Sequence, residues 1–526
     1  MMRGSGLVTW LVSGSTLWAT IAWPGQDDWP GADLFTNGII HRLRIDLPPA
    51  AAASLRSNPR KFVAATVSEG ATVYPQVGVR LKGSVGSFRP LDDKPSLTLD
   101  FSEFSDGQKF HGLRRIYLNN SLEDPSYVNE KIGSELFQAA GVPAPRVTRA
   151  LVVLTGRVLG PYVLKEGFTE DFLSFHFKRV GGDLYESEDD AHDVNERLKR
   201  NSVRAPVKNR AALKALAAAA LEPNPTERWR RLERTLDTER FITFMAMEVM
   251  LGHRDGYCMA RNNFRVYHDL DTDKMIFFPH GMDQLFGTAD LPWRPHLAGV
   301  VARGLMGTTE GSQAYAATFT SLLTNVFEVE QITHRIEQLV QELRPVMSRT
   351  EFAKVKAEAE SAKHRVAKRK ASLIAQLNQP VLKAIEFVAG VAHPDDWKIG
   401  EPPPRGRMDR TNVDSVAALH ISTSSEAAAS WRTTVLVPRG RYRFEGRARI
   451  SGVEPLPFGI HQGAGLRIGG SMRDATAITG DAAWQSLSAT FEVAQPMKVV
   501  ELICELRARA GEAWFDLDSL RLLRIE

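Results

Sequence analysis

The feature that most limits the fold is a change of pattern near residue 402. Beyond Pro402-Pro403-Pro404-Arg405-Gly406 no helical period recurs. The runs Thr433 to Val437, Tyr442 to Ile450, Gly465 to Ile468, Ser486 to Val493, Val499 to Arg507 and Ala513 to Arg524 alternate apolar and polar residues, with Gly and Pro between them. Period-two alternation builds strands with one buried face, and several such runs without a helix predict a β-sandwich of jelly-roll type. The proline-rich stretch reads as part of a linker over 393–430, which leaves 431–526 as the sandwich module.

The first part of the chain follows a different rhythm. Strand patterns come first, in Ile39 to Ile45, Gly78 to Lys82 and Ser96 to Phe101. A helix is predicted after Asp124, with Pro125 at its first position and Tyr127, Val128, Ile132, Leu136 and Phe137 on one face. A strand pair follows over Ala150 to Leu164, turning at Thr155-Gly156-Arg157. Helices are predicted over Ala211 to Leu221, from Asp237 to Gly252, and over Val329 to Gln379 with a break at Pro345. Strands and helices segregate, so the chain is α+β, and 526 residues are too many for one core.

Charge and cysteine content exclude several classes. A net charge of +4 gives no dense basic face for tracking phosphates, so no nucleic-acid partner is expected. The Lys363 to Lys370 cluster reads as a solvated helix face. Cys258 and Cys504 fall in different predicted domains, and no Cys/His spacing resembles a zinc site. Arg3, an apolar stretch from Leu7, small residues near Ala22 and then Asp27-Asp28 follow the order of a signal peptide over 1–25, which predicts export to the envelope or beyond.

The residues that carry chemistry lie between Asp255 and Asp283. Phosphoryl transfer needs hard oxygen ligands for a divalent metal and a carboxylate that orients or deprotonates the attacking hydroxyl. His253-Arg254-Asp255 follows a helix break at Gly252, Asn262-Asn263 comes a few residues later, and Asp283 follows a predicted hairpin. Oxygen ligands at those three places converge if the hairpin folds back. Asp269-Leu270-Asp271-Thr272-Asp273 opens like a calcium loop, but Lys274 replaces its glycine and His280 its terminal glutamate, so it reads as the hairpin turn.

A wider set of motifs adds to this. Gly78-Val79-Arg80-Leu81-Lys82-Gly83-Ser84, Lys94-Pro95-Ser96-Leu97, Tyr117-Leu118-Asn119-Asn120, Gly141-Val142-Pro143-Ala144 and Gly160 to Glu166 occur in that order. With Arg254-Asp255-Gly256-Tyr257, Asn262-Asn263 and Gly281 to Gly287, they resemble the spore coat protein H (CotH) kinase family. The resemblance spans Ile39 to Gly287, and helices to Ala392 complete a domain over 35–392. It implies an atypical, bilobed protein-kinase-like fold that binds ATP with Mg2+ or Mn2+ and phosphorylates protein Ser or Thr, spore coat proteins among the substrates. Carried across, Asp255 is the catalytic aspartate, Asp283 a metal ligand, and Asn262 or Asn263 the amide ligand. Lys94 is the phosphate-binding cation, with Arg80 and Lys82 as alternatives, and Gly83 to Ser87 is either a phosphate-covering loop or a plain turn. Glu130, with Glu135 as alternative, is the acid that pairs the lysine. Glu166 is placed to approach the nucleotide base. Many relatives carry an acid where this chain has Gly281, which keeps open a second reading as a non-catalytic surface or assembly protein.

The C-terminal runs Gly440 to Gly446 and Ala513 to Asp518 resemble carbohydrate-binding modules. The resemblance implies a glycan or envelope polymer as partner, with Trp431 and Trp484 as contacts unless they are core residues.

Overall fold

The computed structural model describes residues 29–36, 38–84, 86–186, 193–195, 199–201, 210–378, 384–456, 462–470 and 477–525. The signal-peptide expectation therefore lies outside the described residues. Two compact units divide the chain, 1–378 and 379–526.

The first unit opens with α1 (Ala32–Thr36) and a seven-stranded closed barrel: β1 (His41–Asp46), β2 (Val63–Glu69), β3 (Thr72–Lys82), β4 (Ser96–Asp100), β5 (Arg115–Asn119), β6 (Val147–Leu154) and β7 (Arg157–Glu166). Its order is β1-β2-β3-β4-β5-β7-β6, and a parallel β1–β6 pairing closes it. Val77, Val79, Leu81, Leu97, Leu99 and Leu164 fill the interior. Strand alternation then puts Arg80 and Lys82 on the outside. Register sets Arg80 opposite Thr98, Thr98 opposite Tyr117, and Tyr117 opposite Lys165. One row across the barrel therefore carries Arg80, Thr98, Tyr117 and Lys165. The β6–β7 hairpin turns on Thr155 and Gly156, both at positive φ, as a two-residue turn requires.

Two helices interrupt the barrel: α2 (Pro49–Ser57) and α3 (Asn129–Ala139). The start of α3 differs from expectation. Tyr127 takes a left-handed φ of 59°, so the helix begins at Asn129 rather than after Asp124. Asp124 still serves the helix entrance, because its carboxylate accepts from the amides of Ser126, Val128 and Asn129.

Beyond the barrel come α4 (Glu170–His176), β8 (Leu184–Glu186), β9 (Lys199–Asn201), α5 (Ala211–Ala220), α6 (Pro225–Thr235), α7 (Thr238–Leu251), α8 (Tyr257–Ala260), β10 (Phe264–Asp269) and β11 (Lys274–Pro279). The strands form a second sheet, β11-β10-β8-β9. Asp237 caps α7 by accepting from the Arg240 amide, and Gly252 ends it at φ 67°. The turn between β10 and β11 is the expected hairpin, tied by Asp269 accepting from the Asp271 amide and the Thr272 hydroxyl. Four helices follow: α9 (Val300–Met306), α10 (Thr309–Asn325), α11 (Val329–Leu343) and α12 (Arg349–Leu377). A capping box of Ser348 and Glu351 starts α12 just past Pro345. The core of this helical half takes in Ile132, Leu136 and Phe137 of α3, so that helix links the barrel side to the helical side.

The second unit is all-β. Its strands are β12 (Val391–Ala392), β13 (Lys398–Glu401), β14 (Gly406–Val413), β15 (Val416–Thr423), β16 (Ala427–Pro455), β17 (Gly463–Ile468), β18 (Gly480–Asp516) and β19 (Arg521–Arg524). They form one sheet in the order β12-β19-β16-β18-β15-β14, with β13 on β16 and β17 on β18. Several runs predicted as separate strands are continuous: β16 holds both Thr433 to Val437 and Tyr442 to Ile450. It meets β18 in two places, Tyr442 opposite Phe491 and Arg449 opposite Trp514, which curls the sheet around Trp397, Trp431, Phe444, Leu506 and Phe515. The 393–430 stretch read as linker contains β13, β14 and β15. Cys258 and Cys504 are buried free thiols, one in each unit.

Candidate active site

On the outer wall of the barrel, Lys165 Nζ donates to Glu130 Oε1 at 2.5 Å, and both side chains are buried (0% and 2% exposed). Lys165 lies on β7 and Glu130 in the first turn of α3, so the pair fastens helix to barrel. The second oxygen of Glu130 accepts from the Met282 amide at 3.0 Å. His280 Nδ1 is 2.9 Å from Lys165 Nζ, and burial followed by the charge of Lys165 holds this imidazole well below its usual pKa. His280 is therefore a neutral acceptor for the lysine.

The Gly281 to Gly287 loop is placed by these contacts. Asn129 Nδ2 donates to the Asp283 carbonyl at 2.7 Å, so two consecutive residues of α3 hold the loop. The Asp283 carboxyl is pushed up to about 7, by burial first and then by the charges of Glu130 and Glu123. Lys82 donates to Asn119 Oδ1 and lies over the Tyr117 ring at 5.1 Å. Burial and the neighbouring Lys165 push Lys82 down to about 7, opposed by Glu130 and Asp283. Burial first, and a like charge beside each, thus disfavour the charged forms of Asp283 and Lys82. A divalent cation relieves the first and a polyanion the second, so the residues present fit a metal–polyphosphate pair.

The Asp255 loop has its own scaffold. Glu248 on α7 is buried and accepts from the amides of Tyr257 and Cys258 at 2.9 and 2.8 Å, which holds the first turn of α8. Burial pushes Glu248 up to about 7 despite those hydrogen bonds. His253 Nε2 pairs with the Gly281 carbonyl at 3.0 Å and so joins the two loops. Asp255 Oδ2 accepts from Asn263 Nδ2 at 2.6 Å and Asn262 Nδ2 at 3.1 Å.

Gly281 is tightly constrained. It sits at φ +58°, and a Cβ there would lie 2.4 Å from Asn263 Oδ1. The space an acid at 281 would need is taken by Asn263, itself left-handed at φ 48°.

The other candidates lie elsewhere. Lys94 donates to the Tyr127 hydroxyl at 2.9 Å, lies over the Tyr127 and Tyr162 rings, and is pushed down to about 8 by burial. Arg80 covers Phe62 at 4.8 Å. Glu135 takes a two-point contact from Arg335 of α11 at 2.8 and 3.0 Å. The buried Glu166 carboxylate, at the end of β7, is committed to Arg146, the residue before β6, at 2.6 and 3.0 Å, so the side chain expected to approach a base is held in an ion pair. In the Gly83 to Ser87 loop, Val85 is outside the described residues. Beside it, Phe88 N donates to the Ser84 carbonyl, and Asn120 ties Ser87 to Lys94 by donating to both carbonyls. A Cβ on Gly86 would lie 2.6 Å from Glu123, which brings this loop beside the acids near Asp283.

Lys165 is the residue that sequence reasoning missed. It follows Tyr162-Val163-Leu164 at the end of a strand buried on both faces, and a charge there was the available signal.

The family described as "CotH kinase protein" matches residues 79–378, more than half of the chain. Among curated relatives, the invasin CotH2 of Rhizopus delemar is 25% identical over 252 residues, 42% of this chain and 42% of that protein. The inner spore coat protein H of Bacillus subtilis is 22% identical over 262 residues, 46% of this chain and 71% of that one. The chain thus spans less than half the length of the invasin. Among solved structures, the Helicobacter pylori proinflammatory kinase CtkA overlays with a TM-score of 0.27 at 10% identity, covering 57% of this chain and 98% of that one. A family 35 carbohydrate-binding module from Clostridium thermocellum overlays at 0.17 and 10% identity, covering 25% and 95%. By the family match, with the Asp255 and Asp283 loops inside it, the chain belongs to the CotH kinase family.

Proposed function

We propose that this protein is an ATP-dependent protein Ser/Thr kinase acting in the cell envelope or outside the cell. The observation that carries the reading is the buried Lys165–Glu130 pair, whose carboxylate also holds the loop of Asp283. Magnesium ATP, when bound, supplies the phosphoryl group, and its cation spreads the charge that develops on transfer. Asp283 and the amide oxygen of Asn262 or Asn263 would hold the cation. Lys165 and Lys82 face the phosphates as point charges, and Glu130 fixes the direction of Lys165. Asp255 takes the proton of the acceptor hydroxyl, and the two asparagine amides orient its carboxylate.

The test is to incubate the full chain and a protein acceptor separately with gamma-labelled and alpha-labelled ATP. Label is expected from the gamma position only, and Asp283→Ala is expected to lose it. Label from the alpha position would make the chain a nucleotidyl transferase. Gly281 favours the second reading, a non-catalytic assembly protein; no label from either position, with no thermal stabilisation by ATP and Mg2+, would establish it.

For the second unit we infer a polymer-binding face. Asp409, His420, Trp514 and Arg449 stand opposite one another in sequence across β14, β15, β18 and β16. His420 stacks on Trp514 at 5.1 Å, and Asp409 and Glu512 hold the two nitrogens of its ring. A half-buried indole in a row of fixed polar groups suits a sugar face with its hydroxyls. Trp431 is core, its Nε1 donating to the His420 carbonyl. Trp484 is half-buried beside Arg447. Residues 379–526 alone are expected to be retained on insoluble polysaccharide and released by Trp514→Ala; retention unchanged in that variant would move the contact elsewhere.

A further inference from the structure

At one end of the barrel, away from the Lys165 wall in sequence and in strand row, four side chains meet. His41 begins β1, Glu69 ends β2, and His111 lies in the Phe110–Leu113 hairpin between β4 and β5. His41 Nδ1 is 2.5 Å from Glu69 Oε1, and His111 Nε2 is 2.7 Å from Glu69 Oε2. The other ring nitrogen of His111 pairs with Asp33 of α1. One donor atom from each of His41, Glu69 and His111 lies within 4.8 Å of the others.

We propose that His41, Glu69 and His111 form a binding site for a divalent transition metal, Zn2+ the best match, with Asp33 orienting His111. Two imidazoles and a carboxylate are a donor set that suits zinc, which takes three protein ligands and keeps a fourth position for water. Zinc bonds of about 2.0–2.1 Å in a tetrahedral site set ligand atoms roughly 3.3 Å apart, inside the spread seen here. A histidine that ligates through one nitrogen and gives the other to a carboxylate is the usual metal-site arrangement, and Asp33 supplies that carboxylate to His111.

Two further observations set this cluster apart from an ordinary surface ion pair. His41 is buried, and its Nε2 has no hydrogen-bond partner among the described residues, so the polar attachment of this ring there is to the cluster. His111 is held at φ +49°, a conformation costly for a residue with a Cβ, and the Gly31 amide donates to its carbonyl at 2.6 Å. The fold thus drives both rings toward one carboxylate. Zinc there would tie α1, the β1–β2 edge and the β4–β5 hairpin together. The histidine–glutamate separations are 28 and 42 residues, which is why no short spacing revealed them.

The test uses the full chain, stripped with chelator and titrated with Zn2+ against a chromophoric competitor, and with Co2+ followed by visible absorption. One Zn2+ per chain is expected, with the intense visible bands of low-coordinate Co2+. His41→Gln and His111→Gln are expected to abolish both signals, and Asp33→Asn to weaken affinity by about 10–100-fold. Asp283→Ala is expected to leave them unchanged, which separates this site from the proposed ATP–metal site. Circular dichroism checks that each variant is folded. If a variant fails to fold, the wild-type Co2+ spectrum decides, because a weak six-coordinate spectrum contradicts the proposal. Absence of tight Zn2+ uptake, or uptake indifferent to both histidine substitutions, would overturn it.

Discussion

Lys165 and Glu130 make one contact that has two separable consequences. Removing one partner of a buried pair leaves the other charge uncompensated, which costs about 3–5 kcal/mol, whereas removing both costs far less. Lys165→Met is therefore expected to destabilise the first unit by about that amount in urea unfolding. The double variant Lys165→Met, Glu130→Gln is expected to recover most of the loss, because glutamine still accepts from the Met282 amide. With Glu130→Gln measured as the other single variant, losses that simply add would show that the pair contributes no electrostatic coupling. This residue also marks the limit of sequence legibility. Asp255, Asn262, Asn263 and Asp283 lie on loops marked by Gly252 and Gly281, where polar residues have no packing reason to be present. Lys165 lies where all residues from Tyr162 to Glu166 are buried, so alternation assigns no face to it. The motif reading then stopped one residue away, on Glu166.

Helix α7 shows how an element fixes a loop beyond its own end. Its capping aspartate and terminal glycine were readable, since each fills a position with a strong residue preference. Its inward glutamate was not, because Glu248 serves amides nine and ten residues later. Burial raises Glu248 to about 7, above its unfolded value of 4.5. Between those values the folded chain holds the extra proton, so this contribution is complete below pH 4.5 and is lost as pH rises through 7. The loss is on the order of 3 kcal/mol across that window. Glu248→Gln is expected to flatten the fall in unfolding free energy between pH 4.5 and 7, measured by urea titration at several pH values. Parallel curves for the two proteins would refute this account. Helix α3 was less legible: the left-handed Tyr127 delays it, and the Tyr127 hydroxyl accepts from Lys94, 33 residues away in the chain.

On the scale of the whole molecule, the two units have separate cores. Ile385 and Phe387 already pack against the second core, which places its start close behind α12 rather than at the predicted sandwich boundary of 431. Three consecutive prolines read as linker, and β13 and β14 have few buried positions, so period-two patterning had little to display there. The fragment 379–526 used for polysaccharide retention is expected to melt in one cooperative transition of its own. A fragment starting at 431 is expected to be less stable, since it lacks Trp397, Leu419 and Ile421 of the core. Calorimetry of both fragments checks this, and equal melting would return the boundary to 431.

The contact between Gly281 and Asn263 bears on which side chains the two positions can hold together. Residues 263 and 281 share one volume, so their identities are not independent choices. An acid placed at 281 needs the Asn263 side chain to move aside or to be replaced by a smaller one. The two positions are therefore coupled, and a library that varies both together reaches combinations that varying 281 alone does not.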